Sequence, residues 1–491
     1  MQELQFRNMI YKDLLYSDTI VAPATLPGTG AVSIIRISGK DTFIILDKII
    51  KFKKGKAIDF KGYTLHFGTV YNNDDLPLDD VLVSIFKKPH SYTGEDSAEI
   101  SCHASSYITS EIIRLVCEAG ARIAMHGEFT QRAYMNGKLD LAQAESVADI
   151  IASQNAASHR LAFNQLRGGF SKELMEMRAE LLNMLSLMEL ELDFSEEDVE
   201  FADRSKLKEL LKKISTHIND LIKSFHLGNA IRTGIPVAIV GAANSGKSTL
   251  LNALIGEDRA IVSDIPGTTR DTVEENFIIE GVNFRLIDTA GIRETTEIIE
   301  KIGIEKSLEK LSKADIVIGV IDGSLNEKDV LEQANYILSK CSSQEQKIIL
   351  VLNKKDIFDK DDNENKNVST LNNIVSLINT KLVTNRTKII KLSAAKNFGI
   401  DELKNTLFNM QSEMTTGSET TLVTNVRHYR ALKDAYESLL KVKNGLDTSL
   451  PTDLISADLH EAVNALSSIT GMDITTDEVL GNIFKNFCIG K

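Results

Sequence analysis

The spacing of apolar residues changes in stages along this chain. From Asp18 the apolar positions form short, β-rich runs at residues 19–22, 31–37, 63–70 and 80–86. Turn residues such as Pro27-Gly28-Thr29-Gly30 and Asn72-Asn73-Asp74-Asp75 separate them. Residues 43–50 and 110–118 have helical spacing, so 18–130 is predicted to be an α+β domain, and 1–17 a leading extension with no packing pattern. From about 131 to 230 no proline occurs, and apolar residues recur at helical intervals, as in Leu181, Leu185, Met188 and Leu192. An acidic break at Asp193-Phe194-Ser195-Glu196-Glu197-Asp198 interrupts these helices. It is a solvated loop or cap, with a metal site as the alternative.

A third pattern follows. Residues 235–240 and 349–352 are apolar runs that read as buried strands, and 284–287 and 388–392 read as further strands, each closed by a polar loop, as in an α/β domain. Residues 356–373 are so polar that they read as a mobile surface insertion. Residues 412–420 read as a linker. Helical spacing then resumes through Tyr429, Leu432, Tyr436 and Leu440, breaks at 447–453 and returns over 454–469. The expected organisation is therefore an α/β domain at 233–412 inserted into one helical domain made of 131–232 and 413–491.

The loop after the first buried run carries the clearest chemistry. Gly241-Ala242-Ala243-Asn244-Ser245-Gly246-Lys247-Ser248-Thr249 lies between a strand and the helical pattern 250–254. This is the P-loop in its proper setting: backbone N–H groups cradle phosphates, Lys247 meets the β- and γ-phosphates, and Ser248 offers a hydroxyl to Mg²⁺. The remaining parts of a GTP site follow in order. Ser263, Asp264, Ile265, Pro266, Gly267, Thr268 and Thr269 form a loop free to order around a γ-phosphate, with Thr269 on Mg²⁺ opposite Ser248. Asp288-Thr289-Ala290-Gly291 closes the next strand. Asn353, Lys354 and Asp356 follow the third, and the Asp356 carboxylate can accept from both N1–H and the 2-amino group of guanine. Ser393-Ala394-Ala395 completes the set with backbone N–H groups for the guanine oxygen.

Two residues refine the expected mechanism. Ile292 stands where many switch GTPases carry the glutamine that orients water, so Glu294, Glu297 and Glu300 become the acidic candidates. Asn244 can coordinate a monovalent cation beside the phosphates; the alternative is an asparagine that caps its own loop.

Composition adds bounds rather than chemistry. At 491 residues there is room for about three domains. The net charge of −13 argues against unspecific polyanion binding but leaves room for a local basic patch. Cys102, Cys117, Cys341 and Cys488 are too scattered for a disulfide framework or a zinc site, which suits a reducing cytosol. No signal peptide and no run of 18 apolar residues is found, so no membrane partner is expected. In the first domain Arg36 and Glu99 are charges inside apolar stretches: paired surface charges or ligand contacts. His90-Ser91-Tyr92-Thr93-Gly94-Glu95-Asp96 is a polar loop that can hold a ligand, and Lys138 follows an Asn-Gly turn. The end, Asn486-Phe487-Cys488-Ile489-Gly490-Lys491, reads as flexible.

Taken together, Ile34-Ile35-Arg36-Ile37-Ser38-Gly39, Tyr92-Thr93-Gly94-Glu95-Asp96, Gly127-Glu128-Phe129-Thr130, the run from Gly137 to Glu145, the five nucleotide motifs and the terminal Phe487-Cys488-Ile489-Gly490-Lys491 resemble one family. It is the tRNA uridine-5-carboxymethylaminomethyl modification GTPases (MnmE, also TrmE), a branch of the TrmE/Era-like P-loop GTPases. The resemblance runs from about Asp18 to Lys491, departing at Ala242-Ala243, where Arg-Pro is common, and in 1–17 and 356–373. It implies that 18–130 is a tetrahydrofolate-binding-like domain that makes a homodimer. By position Arg36, Glu99, Lys138 and Lys491 would contact 5-formyltetrahydrofolate or a related one-carbon donor. It implies K⁺ held by Asn244, Ser263, Ile265 and Thr268, and Glu300 orienting the water. A flavin-dependent partner, MnmG (GidA), would join it in a heterotetramer or larger, FAD entering only through that partner. The target is the wobble uridine of certain tRNAs. Cys488 matches a terminal cysteine with a proposed role. The rival reading is a GTP-switched RNA- or ribosome-assembly GTPase without modification chemistry, which accounts for 233–412 but not for the first domain or the Cys-Ile-Gly-Lys end.

Overall fold

The computed structural model describes residues 18–153, 155–193, 204–255, 275–280, 282–287, 314–341, 346–358, 387–415, 422–448 and 450–472, with residues 484, 487 and 490. Contacts divide them into two compact units. One draws on Met1–Ala152, Ala162–Thr216 and Ala431–Lys491, the other on Ser153–Leu161 and His217–Arg430.

The first unit contains a seven-stranded sheet made of β1 (Ile20–Pro23), β2 (Val32–Ser38), β3 (Ile50–Phe52), β4 (Thr64–Tyr71), β5 (Pro77–Phe86), β6 (Ser97–His103) and β7 (Arg122–Ile123). Their order across the sheet is β3-β4-β5-β6-β2-β1-β7. Strands β1 to β6 pair antiparallel, and β7 runs parallel to β1. Period-two alternation sends Ile35 and Ile37 into a core shared with Val83, Ile85 and Ile100 and with Leu46 and Ile112 of the helices Thr42–Ile49 and Ser106–Glu118. Each such fully buried side chain contributes about 2 kcal/mol. The same alternation turns Arg36 to the other face, and the register of β2 against β6 sets it opposite Glu99. Farther along, the helices Gly169–Asp193 and Thr452–Thr470 pack together, with Arg178 Nε donating to Ser467 Oγ at 2.6 Å.

The second unit is built on a six-stranded sheet: β8 (Ile235–Val240), β9 (Glu275–Ile279), β10 (Val282–Leu286), β11 (Ile316–Asp322), β12 (Lys347–Asn353) and β13 (Thr387–Lys391). The order is β13-β12-β11-β8-β10-β9. All neighbours are parallel except the edge pair β9–β10. Strands β11 and β12 are buried on both faces, which explains their unbroken aliphatic text. After β8 the chain builds β10 on one side and β11 on the other, so the loop leaving β8 stands at the point where strand order reverses. Open α/β sheets bind ligands there.

The structure corrects several local expectations. The helix expected to reach Ile50 ends at Ile49, and Ile50, in extended backbone, opens the edge strand β3. The helix expected from Ser110 begins at Ser106, its polar first turn having read as loop. Residues 412–415, expected in a linker, continue the helix Ile400–Thr415, since Ser-Glu-Met-Thr contains no breaker. The acidic break 194–198 and residues 359–373 of the polar insertion lie outside the described residues.

Candidate functional site

The loop 241–246 is shaped by close approach. A Cβ on Gly241 would sit 2.1 Å from the Val320 carbonyl oxygen, and one on Gly246, whose φ is +95°, 2.2 Å from Asn353 Nδ2. Neither position has space for a side chain. Asn244 crowns the loop in left-handed backbone, φ +60°, a conformation asparagine tolerates. Lys247 opens the helix Lys247–Ile255, and its Nζ donates to the carbonyls of Gly241 at 2.9 Å and Ala242 at 2.8 Å. Burial lowers its pKa from the ordinary lysine value. Ser248 and Thr249 are exposed on the first turn. Helix N–H groups, a mobile cation and a hydroxyl therefore meet at one helix N-terminus, the arrangement that receives phosphate and Mg²⁺.

The base-side loops are wired to this cradle. Asn353, 4% exposed, donates Nδ2–H to the Ser245 carbonyl at 2.9 Å and accepts the Ala394 N–H on Oδ1 at 3.0 Å. One amide thus joins the loops after β8, β12 and β13. Ser393 Oγ donates to Asp356 Oδ1 at 2.6 Å, setting the plane of that carboxylate, while Ala395 is exposed beside them. Lys354, in left-handed backbone with φ +68°, places its Nζ 2.5 Å from Asp322 Oδ2. Asp322 Oδ1 in turn accepts from Ser324 N at 2.9 Å and Ser324 Oγ at 2.6 Å. Burial raises the Asp322 pKa, but the Ser324 donors and the Lys354 ammonium outweigh it and hold the carboxyl below the usual range. Sequence reasoning missed Asp322. Its signal was a charge closing the apolar run of β11, level with Asn353 in the β11–β12 register.

In the first unit Arg36 and Glu99 are in direct contact: Arg36 Nε and Nη2 both donate to Glu99 Oε1, at 3.0 and 2.8 Å. Arg36 Nη1 donates to the Gly490 carbonyl at 3.0 Å. Its guanidinium carbon stands 5.7 Å from the centre of the Tyr92 ring and 5.8 Å from that of Phe129. Glu99 Oε2 accepts no hydrogen bond among the described residues, so one carboxylate oxygen remains to accept from a ligand. Burial raises the Tyr92 phenol above its ordinary pKa, and Tyr92 Oη shares a 2.9 Å hydrogen bond with Thr130 Oγ1. Lys138 Nζ donates to the Pro89 carbonyl at 3.2 Å, and Asn136 Nδ2 to the Thr93 carbonyl at 2.7 Å. Arg36 and Lys138 therefore both touch the loop 89–94.

That loop has an ionic floor that sequence reasoning left unassigned. Arg132, 1% exposed, donates to Asp18 at 2.8 Å, Glu128 at 3.0 Å and Glu95 at 3.2 Å. Arg122 bridges Asp18 and Glu128. Burial raises the Asp18 and Glu128 carboxyls, but the two guanidiniums more than compensate and hold both below their ordinary values. Breaking such a buried cluster by removing one partner costs about 3–5 kcal/mol, so Arg132 is structural rather than available for exchange with a ligand. Ser38 Oγ, 2.8 Å from Glu95 Oε2 and 2.7 Å from Thr93 Oγ1, links the floor to β2.

The chain end, expected to be flexible, is seated at its described residues. Phe484 and Phe487 are buried with Leu141 and Ala144. His126 Nδ1 lies 3.0 Å from the Phe487 carbonyl. Gly490, φ +93°, lies where a Cβ would come within 2.2 Å of the Pro23 carbonyl oxygen. Two phenylalanines and a close-packed glycine outweigh terminal fraying. Ser263, Asp264, Ile265, Pro266, Gly267, Thr268, Thr269, Asp288, Thr289, Ala290, Gly291, Glu300, Cys488 and Lys491 lie outside the described residues.

Two family models match end to end: the GTP-binding protein TrmE N-terminus over 19–138 and the MnmE helical domain over 141–488. A tRNA modification GTPase MnmE of Flavobacterium johnsoniae is 49% identical over 482 residues, covering 97% of this chain and 100% of its own length. One from Bacteroides thetaiotaomicron is 48% identical over 476 residues, covering 96% and 99%. The chain belongs to the MnmE family of tRNA modification GTPases. The G domain of the T. maritima FeoB iron transporter is also similar, 29% identical over 36% of this chain and 97% of that one, with a TM-score of 0.24. In an MnmE-family chain the P-loop unit hydrolyses GTP. Among the described residues no helix is long and apolar enough to cross a membrane.

Proposed function

We propose that this chain is a K⁺-dependent GTP hydrolase that acts with an MnmG-like flavoprotein on the wobble uridine of certain tRNAs. The group added at C5 is a carboxymethylaminomethyl or aminomethyl group whose one-carbon unit comes from a tetrahydrofolate held in the first domain. Residues 18–130 form the folate and homodimer domain, 131–232 with 413–491 the helical domain, and 233–412 the G domain. The cytoplasm is its place of action.

The observation that carries the folate reading is the Arg36–Glu99 pair, with Tyr92 and Phe129 beside Arg36. Glu99 Oε1 is fixed by Arg36, leaving Oε2 to accept N–H groups of a pterin ring, with the partly exposed Tyr92 ring nearby. Arg36 acts mainly as the holder of Glu99 and of the chain end. Lys138 and Lys491 supply cations for the carboxylates of the glutamate tail. The bound folate supplies the transferable carbon; this chain's residues orient it and exclude water, with Cys488 assigned no step.

In the G domain Lys247 and the helix N-terminus receive the phosphates, Ser248 and Thr269 hold Mg²⁺, and Asn244 with Ser263, Ile265 and Thr268 holds K⁺. Asp356, set by Ser393, reads guanine. Glu300 orients water in place of a glutamine at Ile292. Titration with 5-formyltetrahydrofolate tests the reading: wild type binds, and Arg36→Ala and Glu99→Gln lose at least about tenfold in affinity, the value of one lost charge-assisted hydrogen bond. Absence of binding to wild type, or equal binding to both variants, contradicts it.

A further inference from the structure

Residues 48–61, KIIKFKKGKAIDFK, hold six lysines (Lys48, Lys51, Lys53, Lys54, Lys56, Lys61) against the single acid Asp59, a local balance of +5 in a chain whose net charge is −13. The run includes β3, the edge strand of the first sheet. Elsewhere in the first unit several basic side chains are paired with acids: Arg36 with Glu99, Arg114 with Glu111, and Arg122 and Arg132 with Glu128. In the run, Lys51 meets Asp75 at 3.1 Å, whereas Lys53, Lys54, Lys56 and Lys61 have no carboxylate partner among the described residues. All four are exposed. The nearby Asp47 carboxylate accepts the backbone N–H groups of Ala57 and Ile58.

Aromatic faces accompany the charge. Lys53 Nζ stands 5.1 Å from the centre of the Phe67 ring, and Lys51 Nζ 4.0 Å from that of Tyr71. Phe67 is 41% exposed and Tyr63 71%. Lysines on an edge strand guard it against pairing with another chain. That role covers Lys51 and leaves Lys54, Lys56 and Lys61 unexplained, because they lie beyond the strand. Unpaired cations interleaved with exposed aromatic rings suit a nucleic-acid backbone with accessible bases.

We propose that the β3 edge and the following loop, Lys53, Lys54, Lys56 and Lys61 with Phe67, form a surface that binds the tRNA phosphate backbone. The surface gives an acidic protein a local site for its polyanionic substrate. The inference rests on the family's tRNA substrate and not on the folate reading. The test measures binding of the full chain to an unmodified tRNA transcript from about 50 to 200 mM KCl. The Lys53→Ala/Lys54→Ala/Lys56→Ala variant should bind at least tenfold more weakly at low salt. Its log affinity–log salt slope should be shallower by about 2–3 units, as loss of three phosphate contacts requires. The corresponding triple Lys→Arg variant should keep both affinity and slope. Unchanged GTP turnover and melting temperature establish that the alanine variant is folded. Wild-type affinity and slope in the alanine variant, or wild type showing no salt-dependent tRNA binding, would overturn the proposal.

Discussion

At the residue scale, the base-side loop shows how much work falls to side chains outside the recognised motifs. Asp322 holds Lys354 through a 2.5 Å ion pair and is itself fixed by two Ser324 donors. We expect Asp322→Asn to weaken GDP binding about tenfold, roughly 1.4 kcal/mol, by freeing the Lys354 side chain. Turnover at saturating GTP should stay near wild type, and Asp322→Glu should recover part of the affinity. An unchanged Kd in Asp322→Asn would remove this role. The folded-state pKa of Asp322 is depressed, so its charge is present above that value and lost only as pH falls through it. Wild-type GDP affinity should therefore owe no change to this pair between about pH 5 and 8. Asp322 was hard to read in the sequence because one acid at a strand end is common; only the pairing of β11 with β12 brings it level with Asn353. Asp356 stood out as a candidate because its spacing from Asn353 is the one expected of a guanine-reading carboxylate.

At the element scale, the P-loop was legible for a related reason. Its glycines are dictated by backbone approach, as the 2.1 and 2.2 Å clashes of added Cβ atoms show. Its Lys-Ser pair is dictated by phosphate and metal chemistry. The seat of the chain end was not legible, because it depends on pairing residues hundreds of positions apart, Arg36 with Gly490 and His126 with Phe487. Two elements carry the hydrolysis proposal, the loop crowned by Asn244 and the segment holding Glu300. Exchanging K⁺ for Na⁺ should slow GTP hydrolysis, and Glu300→Ala should lower turnover about 10²-fold or more with nucleotide affinity nearly intact. Equal rates in the two salts would take the cation away from Asn244, and wild-type turnover in the variant would shift the water to Glu294 or Glu297.

At the scale of the whole molecule, two sheets lie in two compact units: a P-loop sheet whose loop after β8 stands at a strand-order reversal, and a mostly antiparallel sheet that carries the Arg36–Glu99 pair. On our account GTP hydrolysis serves carbon transfer to tRNA, and neither unit suffices alone. The most direct measurement is mass analysis of tRNA nucleosides from cells lacking this chain, complemented with wild type or with Glu99→Gln. The account predicts that C5-aminomethyl-type wobble uridines disappear without the chain, return with wild type, and fail to return with Glu99→Gln. Full modification in cells lacking the chain would contradict it.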